Sequence, residues 1–332
     1  MHDYQVPPAE VTGVDVTTAQ WRTEYDVLTT LRDELDHDVH VLGVKDDLGA
    51  IRQANEEFKP HIAFNLLEAF HEVGTFDQNV VSYLELLRLP YTGCNPRGMF
   101  LARDKALSKK LLHYHRIPVP EFAVIPRGRK ARLSKRMTFP VIVKSLTQEA
   151  SIGISQASVV GDEAKLAERV QFIHDSIATD AILEQFVEGR ELYCGVLGNQ
   201  RVQVLPVWEM TFANMPEDQH RIATERVKWS RKYQDKMGIG TGAATALDEA
   251  AMSRVQHITR RAYKVLEQSG YARIDLRQDR EGRVFVLEAN PNPQIARGED
   301  FADSAVAAGF TYAALLQRIL TTGLRWEPER LG

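Results

Sequence analysis

The sequence predicts an α/β (mixed α+β) chain built in more than one part, and three observations lead there. The first hundred residues alternate helix-like and strand-like segments. Two β-rich runs near the C-terminus, 271–276 and 283–290, flank a polar stretch ending in Gly282 and read as an antiparallel hairpin. The chain has 332 residues, 44% of them hydrophobic and 26% charged, which is too long for one small core.

The elements follow in order. Residues 17–36 carry apolar side chains at helical spacing through Trp21, Tyr25, Leu28 and Leu31. Residues 37–44 read as a strand, 48–58 as a helix and 60–67 as a buried strand. Another helix at 77–87 precedes the short strand 90–93. Such alternation predicts a small parallel sheet covered by helices. No apolar strand stands before Thr17, where such a sheet normally starts. Either residues 10–16 serve, or the sheet is short by one strand.

Gly93, Pro96 and Gly98 mark residues 93–103 as a boundary. A helix is expected over 103–112, stopped by the prolines at 118 and 120. Residues 121–125 and 139–144 are strand-like, with a basic hairpin tip or loop at 126–136. Residues 144–153 then run from a strand ending in Lys144 into small and polar residues ending in Gly153. Small residues let backbone N–H groups turn inward around phosphate oxygens, and Lys144 adds a point charge. A plain turn with a solvated lysine is the competing reading. After a helix at 162–176, the strand from Ala181 bends at Gly189. Glu184 and Val187 are placed to offer main-chain groups to an adenine edge, and Glu191 to take a ribose hydroxyl.

The hairpin carries the strongest chemistry. Glu288 and Asn290 are two apart and share a face, and the fold-back brings Asp275 within reach of 286–288. Two carboxylates and an amide oxygen suit a hard cation held together with phosphates. An ordinary solvated hairpin face is the alternative.

Several classes are excluded or disfavoured. The net charge of −4 gives no sign of a nucleic-acid or membrane surface. Two cysteines, Cys94 and Cys194, are too few for a disulfide scaffold and favour a reducing compartment; Cys194 reads as core. The N-terminus has no apolar signal core and the chain no run of 18 apolar residues, so a cytoplasmic protein is expected. Residues 238–243 fit G-x-G-x-x-A, but a polar, basic stretch precedes them, so a mobile lid-like loop is the better reading than a dinucleotide turn. The helix at 249–268 reads as packing on a sheet.

Taken together, these landmarks resemble the ATP-grasp superfamily and, within it, the D-alanine–D-alanine ligase branch. The matching stretches are Tyr91-Thr92-Gly93, Asp104-Lys105 with Ser108-Lys109, the Ile117 to Pro120 run, the strand ending in Lys144, Ser151-Ile152-Gly153, Glu184 to Glu191, and Arg273-Ile274-Asp275 to Glu288-Ala289-Asn290. They cover residues 60–291 in the family's order. The resemblance implies an ATP-grasp fold with a small N-terminal parallel-sheet domain (1–98), a central lid subdomain (99–190) and a C-terminal subdomain with the metal hairpin (191–332). It implies ATP and Mg2+ or Mn2+ as cofactors. Asp275, Glu288 and Asn290 would hold the metal. Lys105 and Lys144 would meet phosphates, and Glu184, Val187 and Glu191 the nucleoside. Arg273 and Ser151 would act in catalysis, and Lys232 falls near the family's lid-loop lysine. The implied partners are a small-molecule carboxylate and an amine, with no nucleic acid and no membrane; the family is often dimeric, so a homodimer is implied as well.

The departures concern the substrate half. The family's Ser-x-Glu-Arg turn, whose glutamate holds the first substrate's amine, has no counterpart before Trp21. Glu68 and Glu72 are possible replacements from another loop. The paired serines of the phosphate loop are Ala150 and Ser151 here. The second-substrate segment is rewritten as Pro291 to Arg297, with Arg297 a candidate for a substrate carboxylate. The expected activity is an ADP-forming carbon–nitrogen ligase with a different substrate; an ATP-binding protein that no longer ligates is the alternative.

Overall fold

The computed structural model describes residues 1–148 and 151–328. The N-terminal third contributes α1 (Arg22–Thr29), α2 (Gly49–Phe58), α3 (Asp77–Leu86), α4 (Pro96–Arg103) and α5 (Lys105–Tyr114). Strands and helices then mix: β1 (Phe122–Ile125), β2 (Val141–Ser145), β3 (Val159–Val160), α6 (Glu163–Phe172), β4 (Ala181–Gln185), β5 (Gly189–Leu197) and β6 (Gln203–Phe212). The last part holds α7 (Glu225–Trp229), α8 (Arg231–Met237), β7 (Ile239–Ala243), α9 (Glu249–Val265), β8 (Tyr271–Asp279), β9 (Val284–Pro291), α10 (Asp300–Ala307) and α11 (Tyr312–Leu324).

The strands form two antiparallel sheets, ordered β1-β4-β2-β3 and β7-β6-β5-β8-β9. Period-two alternation explains how the larger sheet makes both a core and a site. Ala272, Ile274 and Leu276 on β8 and Leu192, Cys194 and Val196 on β5 are fully buried against Val255, Ala262 and Tyr263 of α9. The intervening residues Arg273 and Asp275 face the other way. Burial pushes the Cys194 thiol up to about 12, as befits a core residue rather than a nucleophile.

Several segments differ from expectation. The anticipated N-terminal parallel sheet is carried by one parallel bridge, Ala63 to Tyr91, in which the Ala63 N–H donates to Pro90 O at 2.8 Å and the Thr92 N–H to Ala63 O at 3.0 Å. Residues 37–44 form no strand, and neither do 10–16. The stretch 93–103, expected to be a boundary, is mostly helix α4. Pro96 sits in its first turn, and the Asn95 side chain accepts from the Gly98 N–H. The helix foreseen over 103–112 is interrupted at Asp104, whose carboxylate accepts from the Ala106 and Leu107 N–H groups and so starts α5. That break aims Lys105 and Lys109 at the sheets. Residues 126–136 do not close a hairpin, because β1 and β2 both pair with β4 and not with each other. Residues 239–243 are the edge strand β7 rather than a loop; small residues fit there beside β6.

The turn into β8 constrains the whole arrangement. Gly270 has φ +69, and a Cβ on it would stand 2.1 Å from Gly93 O. Gly282, in the hairpin turn at φ +79, has open space around it. Gly270→Ala should therefore destabilise the protein by clearly more than the ~1 kcal/mol that positive φ alone costs, whereas Gly282→Ala should stay near that value. Urea midpoints of the two variants check this, and equal losses would count against the close approach as the constraint.

Candidate active site

A cleft lies between the two sheets, and its walls contain most of the residues singled out from the sequence. Lys105, Lys144, Ser151, Glu184, Val187, Glu191, Asp275 and Glu288 all line it. Arg273 and Asn290 are not among its lining residues; they form a cross-strand pair two positions along the hairpin from the Asp275–Glu288 pair, on the same face. A bulge follows Asp275, so Leu276 faces Val286.

Glu184 organises the floor. It is 1% exposed on β4, and its carboxylate pairs with Lys144 Nζ of β2 at 3.0 Å and Lys109 Nζ of α5 at 3.3 Å. Lys109 also donates to Leu287 O at 2.6 Å, which ties α5 to β9. Burial opposes charge on all three groups. The two lysines outweigh that for Glu184 and hold its carboxyl below the usual range. Burial wins at Lys109, which is lowered.

The β8–β9 hairpin is similarly paired. Arg273 donates to Asp275 from Nε at 2.7 Å and Nη2 at 3.0 Å, while its guanidinium lies over the Tyr193 ring at 4.7 Å and 3.8 Å from Asp300. Burial, with the charge of Glu288 opposite, raises the Asp275 pKa in spite of Arg273. Burial acts in the same direction on Glu288, but Lys105, Lys228, Lys144 and Arg273 overcome it and bring it to about 2. Lys105 Nζ stands 3.7 Å from Glu288 and donates to Gln148 O at 2.6 Å. Asn290 Nδ2 is buried without a hydrogen-bond partner.

These residues fit a divalent cation only together with a polyphosphate. Among the described residues, no three His, Cys, Asp or Glu side chains gather as a metal site of their own. Two carboxylates and an amide leave coordination positions for phosphate oxygens, as Mg2+ sites commonly do. The cleft wall carries four cations (Lys105, Lys144, Lys228, Arg277) against four carboxylates (Glu184, Glu191, Asp275, Glu288). A polyphosphate entering that balanced wall brings negative charge that accompanying cations must offset.

Some expected positions are used differently. The Val187 carbonyl accepts from Arg277 Nη1 at 2.8 Å, leaving its N–H as the group available to a ligand edge. Glu191 is held by Arg277 at 3.3 Å and by the Tyr193 hydroxyl, which donates to it at 3.0 Å. Ser151 lies in the left-handed region at φ 61; Ala150, the other member of the expected pair, falls outside the described residues. Lys232 is exposed on α8 and does not line the cleft; Lys228, one turn earlier on α7, does. Arg297 turns away from the cleft. Its guanidinium bonds to Thr30 Oγ1 at 2.8 Å and to Glu34, and lies over the Tyr312 ring.

Sequence reasoning passed over Lys109, Arg277 and Lys228, which looked like ordinary charges on a helix, a strand and a polar loop. It also passed over Glu24. This residue opens α1, is 3% exposed, and leaves Oε2 without a hydrogen-bond partner. Its position in Thr23-Glu24-Tyr25, just after Trp21, was the available signal. The neighbouring first turn of α1 meets the rewritten segment: Gln294 Nε2 donates to Thr23 Oγ1 at 3.2 Å, and Arg22 pairs with Glu299 at 3.2 Å.

Two antiparallel sheets closing on a cleft lined by lysines and paired carboxylates define the chain as an ATP-grasp protein. The family model for the D-ala D-ala ligase C-terminus matches residues 111–321. A D-alanine–D-alanine ligase of Desulfotalea psychrophila is 30% identical over 274 residues, covering 81% of this chain and 80% of the relative. Protein y4sG of Sinorhizobium fredii, itself uncharacterized, is 31% identical over 264 residues, covering 80% and 75%. The crystal structure of the Bacillus anthracis D-alanine–D-alanine ligase complexed with ATP superposes with a TM-score of 0.74 at 22% identity, covering 91% of each chain. The chain belongs to the D-alanine–D-alanine ligase family of ATP-grasp ligases. ATP and a divalent metal are the cofactors that membership implies. Among the described residues no helix is long and apolar enough to cross a membrane.

Glu24 yields a pH prediction. Burial, aided by the charge of Glu68, raises its pKa to about 7 in the folded protein. A carboxyl raised on folding favours the folded state at low pH, and that contribution is lost as pH climbs from the unfolded value of about 4.3 through 7. Glu24→Gln should therefore gain stability relative to the parent between pH 5 and 8, by up to about 3 kcal/mol at 1.36 kcal/mol per unit. Denaturation midpoints across that range measure it, and a constant difference between the two proteins contradicts it.

Proposed function

We propose that this protein is an ATP-dependent carboxylate–amine ligase. A substrate carboxylate takes the γ-phosphoryl group to become an acyl phosphate, and ADP leaves. An amine then attacks the acyl carbon, and phosphate is expelled as the amide forms. The observation that carries this reading is the direct pairing of Asp275 with Glu288, with Lys105, Lys144 and Lys228 acting on Glu288 from three different elements.

In this reading residues 1–98 contribute substrate contacts, and 99–190 and 191–332 close on the nucleotide from either side. Asp275, Glu288 and Asn290 hold the metal, whose role is to offset charge on the transferring phosphoryl group. Lys105 and Lys144 bind phosphates, and Ser151 adds a hydroxyl from the loop. Val187 and Glu184 border the adenine, and Glu191 takes the ribose. Lys228 replaces Lys232 as the lid lysine. Arg273 stabilises the oxyanion that develops at the acyl carbon. A homodimer remains part of the reading.

The substrates are a small carboxylate and an amine other than a pair of D-alanines. Glu24 is the candidate partner for a substrate ammonium, which needs an anion once it leaves water. The second subsite is the more altered one. Ile295 and Ala296 are fully buried, and Asn292 Oδ1 accepts from the Cys94 N–H at 2.7 Å, so the segment 291–297 is committed to packing.

Glu288→Gln should lower ADP release by orders of magnitude at saturating Mg2+, since it removes charge at the phosphates, and should also lower the melting temperature at neutral pH, since it removes a carboxylate that Lys105, Lys228, Lys144 and Arg273 hold ionised. Lys144→Ala should weaken ATP far more than adenosine. Parent-like turnover in Glu288→Gln would remove the metal assignment.

The substrate claim is tested by ADP release across pooled amino acids and carboxylates, with mass spectrometry of the product. Turnover is expected with some pool and only weakly with D-alanine alone. D-alanyl-D-alanine as the main product, at kcat/KM of about 10^4 M⁻¹s⁻¹ or more, would overturn the altered specificity. ATP binding without turnover in any pool would favour a protein that no longer ligates.

A further inference from the structure

The connection between β6 and α7, residues 213–224, brings Ile222 and Ala223 to the cleft wall, and Lys228 follows on α7. Ser151, Ile152 and Ile154, in the connection between β2 and β3, line the same cleft. One segment leaves the five-stranded sheet and the other leaves the four-stranded sheet. Bonds between them therefore tie the two sheets together at the cleft.

Two reciprocal pairs of hydrogen bonds do this, one on each side of Ile222 and Ala223. Gln156 Nε2 donates to His220 O at 2.9 Å, and the His220 N–H donates to Gln156 Oε1 at 2.9 Å. The Glu225 N–H donates to Ile154 O at 3.0 Å, and the Gly153 N–H donates to Glu225 Oε2 at 3.1 Å. A carboxamide carries one acceptor and one NH2 donor group, so Gln156 can satisfy both main-chain groups of a single residue. Neither side chain starts from a loose loop. Gln156 opens a 3-10 turn whose Ser155 N–H donates to Ser158 Oγ at 3.0 Å. Glu225 opens α7, where Thr224 Oγ1 accepts from the Val227 N–H at 3.2 Å.

Other contacts fix the middle of the segment to its own sheet and to the cleft. Arg277 of β8 donates to Arg221 O, so residue 221 travels with the five-stranded sheet. The His220 ring meets the Phe186 ring edge-on with centroids 5.1 Å apart, and Phe186 lines the cleft. Gln156 and Glu225 themselves are not among the lining residues. Whatever they do to a bound nucleotide passes through Ile222, Ala223 and Lys228.

We propose that Gln156 and Glu225 are positioning residues of the nucleotide cleft, which latch residues 220–225 onto 153–156 and thereby set how long a nucleotide stays bound. Departure of the nucleotide requires both bonded pairs to open, and covers of this kind often limit release. A net hydrogen bond is worth up to about a factor of ten in such an equilibrium. Gln156 reads only main-chain atoms, so the latch is set by the residue at 156 and tolerates change in the side chain at 220.

The test is the dissociation rate of a fluorescent ADP analogue with Mg2+ from the full chain, chased with excess unlabelled ADP. It needs no turnover, so it stands apart from the ligase reading and from the choice of substrate. Gln156→Met keeps the length of the side chain and removes both of its bonds; release should quicken by ~10-fold or more. Amide exchange at His220 should quicken with it. Glu225→Ala should act in the same direction and expose the Gly153 amide, and Glu225→Gln, which keeps an oxygen for that amide, should restore slow release. A lower Tm with a parent-like release rate in Gln156→Met and Glu225→Ala would show contacts that only support the fold, and would overturn the latch. Faster release without faster exchange at His220 or Gly153 would overturn it too. Should Gln156→Met not fold, the two Glu225 variants decide alone, and parent-like release from Glu225→Ala overturns the proposal.

Discussion

The carboxylate of Glu184, held between Lys109 and Lys144, is the interaction on which the site depends. Three charged groups leave water together, and each would be untenable alone. Their joint satisfaction ties α5, β2 and β4 at one point, and the bond from Lys109 to Leu287 O extends that tie to the hairpin. The two sheets meet through this cluster. Lys144 and Lys105 are thereby held at the cleft wall, with the Lys105 ammonium a short distance from Glu288.

The hairpin works on the same principle with opposite polarity. Arg273 clamps Asp275 with two donors, and the neighbouring lysines keep Glu288 ionised despite its burial. The result is a wall of alternating, balanced charge. Such a wall admits a polyanion only when cations come with it, so the electrostatics of the protein and the composition of its ligand are linked.

Much of this was legible beforehand. Asp275, Glu288 and Asn290 were found because a two-residue period and a tight turn leave little freedom in which side chains share a face. Lys144 was found because it ends a strand that opens a small-residue loop. Local periodicity carries that information whatever the rest of the chain does. The misses have a common cause as well. Lys109 and Glu24 sit on helices whose outward-looking sequence hides which side meets the core, and Lys228 was displaced by Lys232 because two short helices replaced a loop of undefined geometry. Arg297 had the right chemistry for a carboxylate, but Thr30 and Glu34, in the helical turn that follows α1, engage it instead, a contact over more than 260 positions.

By itself, then, the sequence determined the α/β class, the hairpin, the order of the ATP-grasp landmarks and which of the proposed metal and phosphate residues share a face. These follow from local spacing, which backbone geometry converts directly into shared faces. Tertiary structure alone decided which charges pair, which lysine reaches the cleft, and how Glu24 is left buried with a free oxygen. Those outcomes depend on burial and on long-range neighbours, and neither is encoded in the spacing of any one segment.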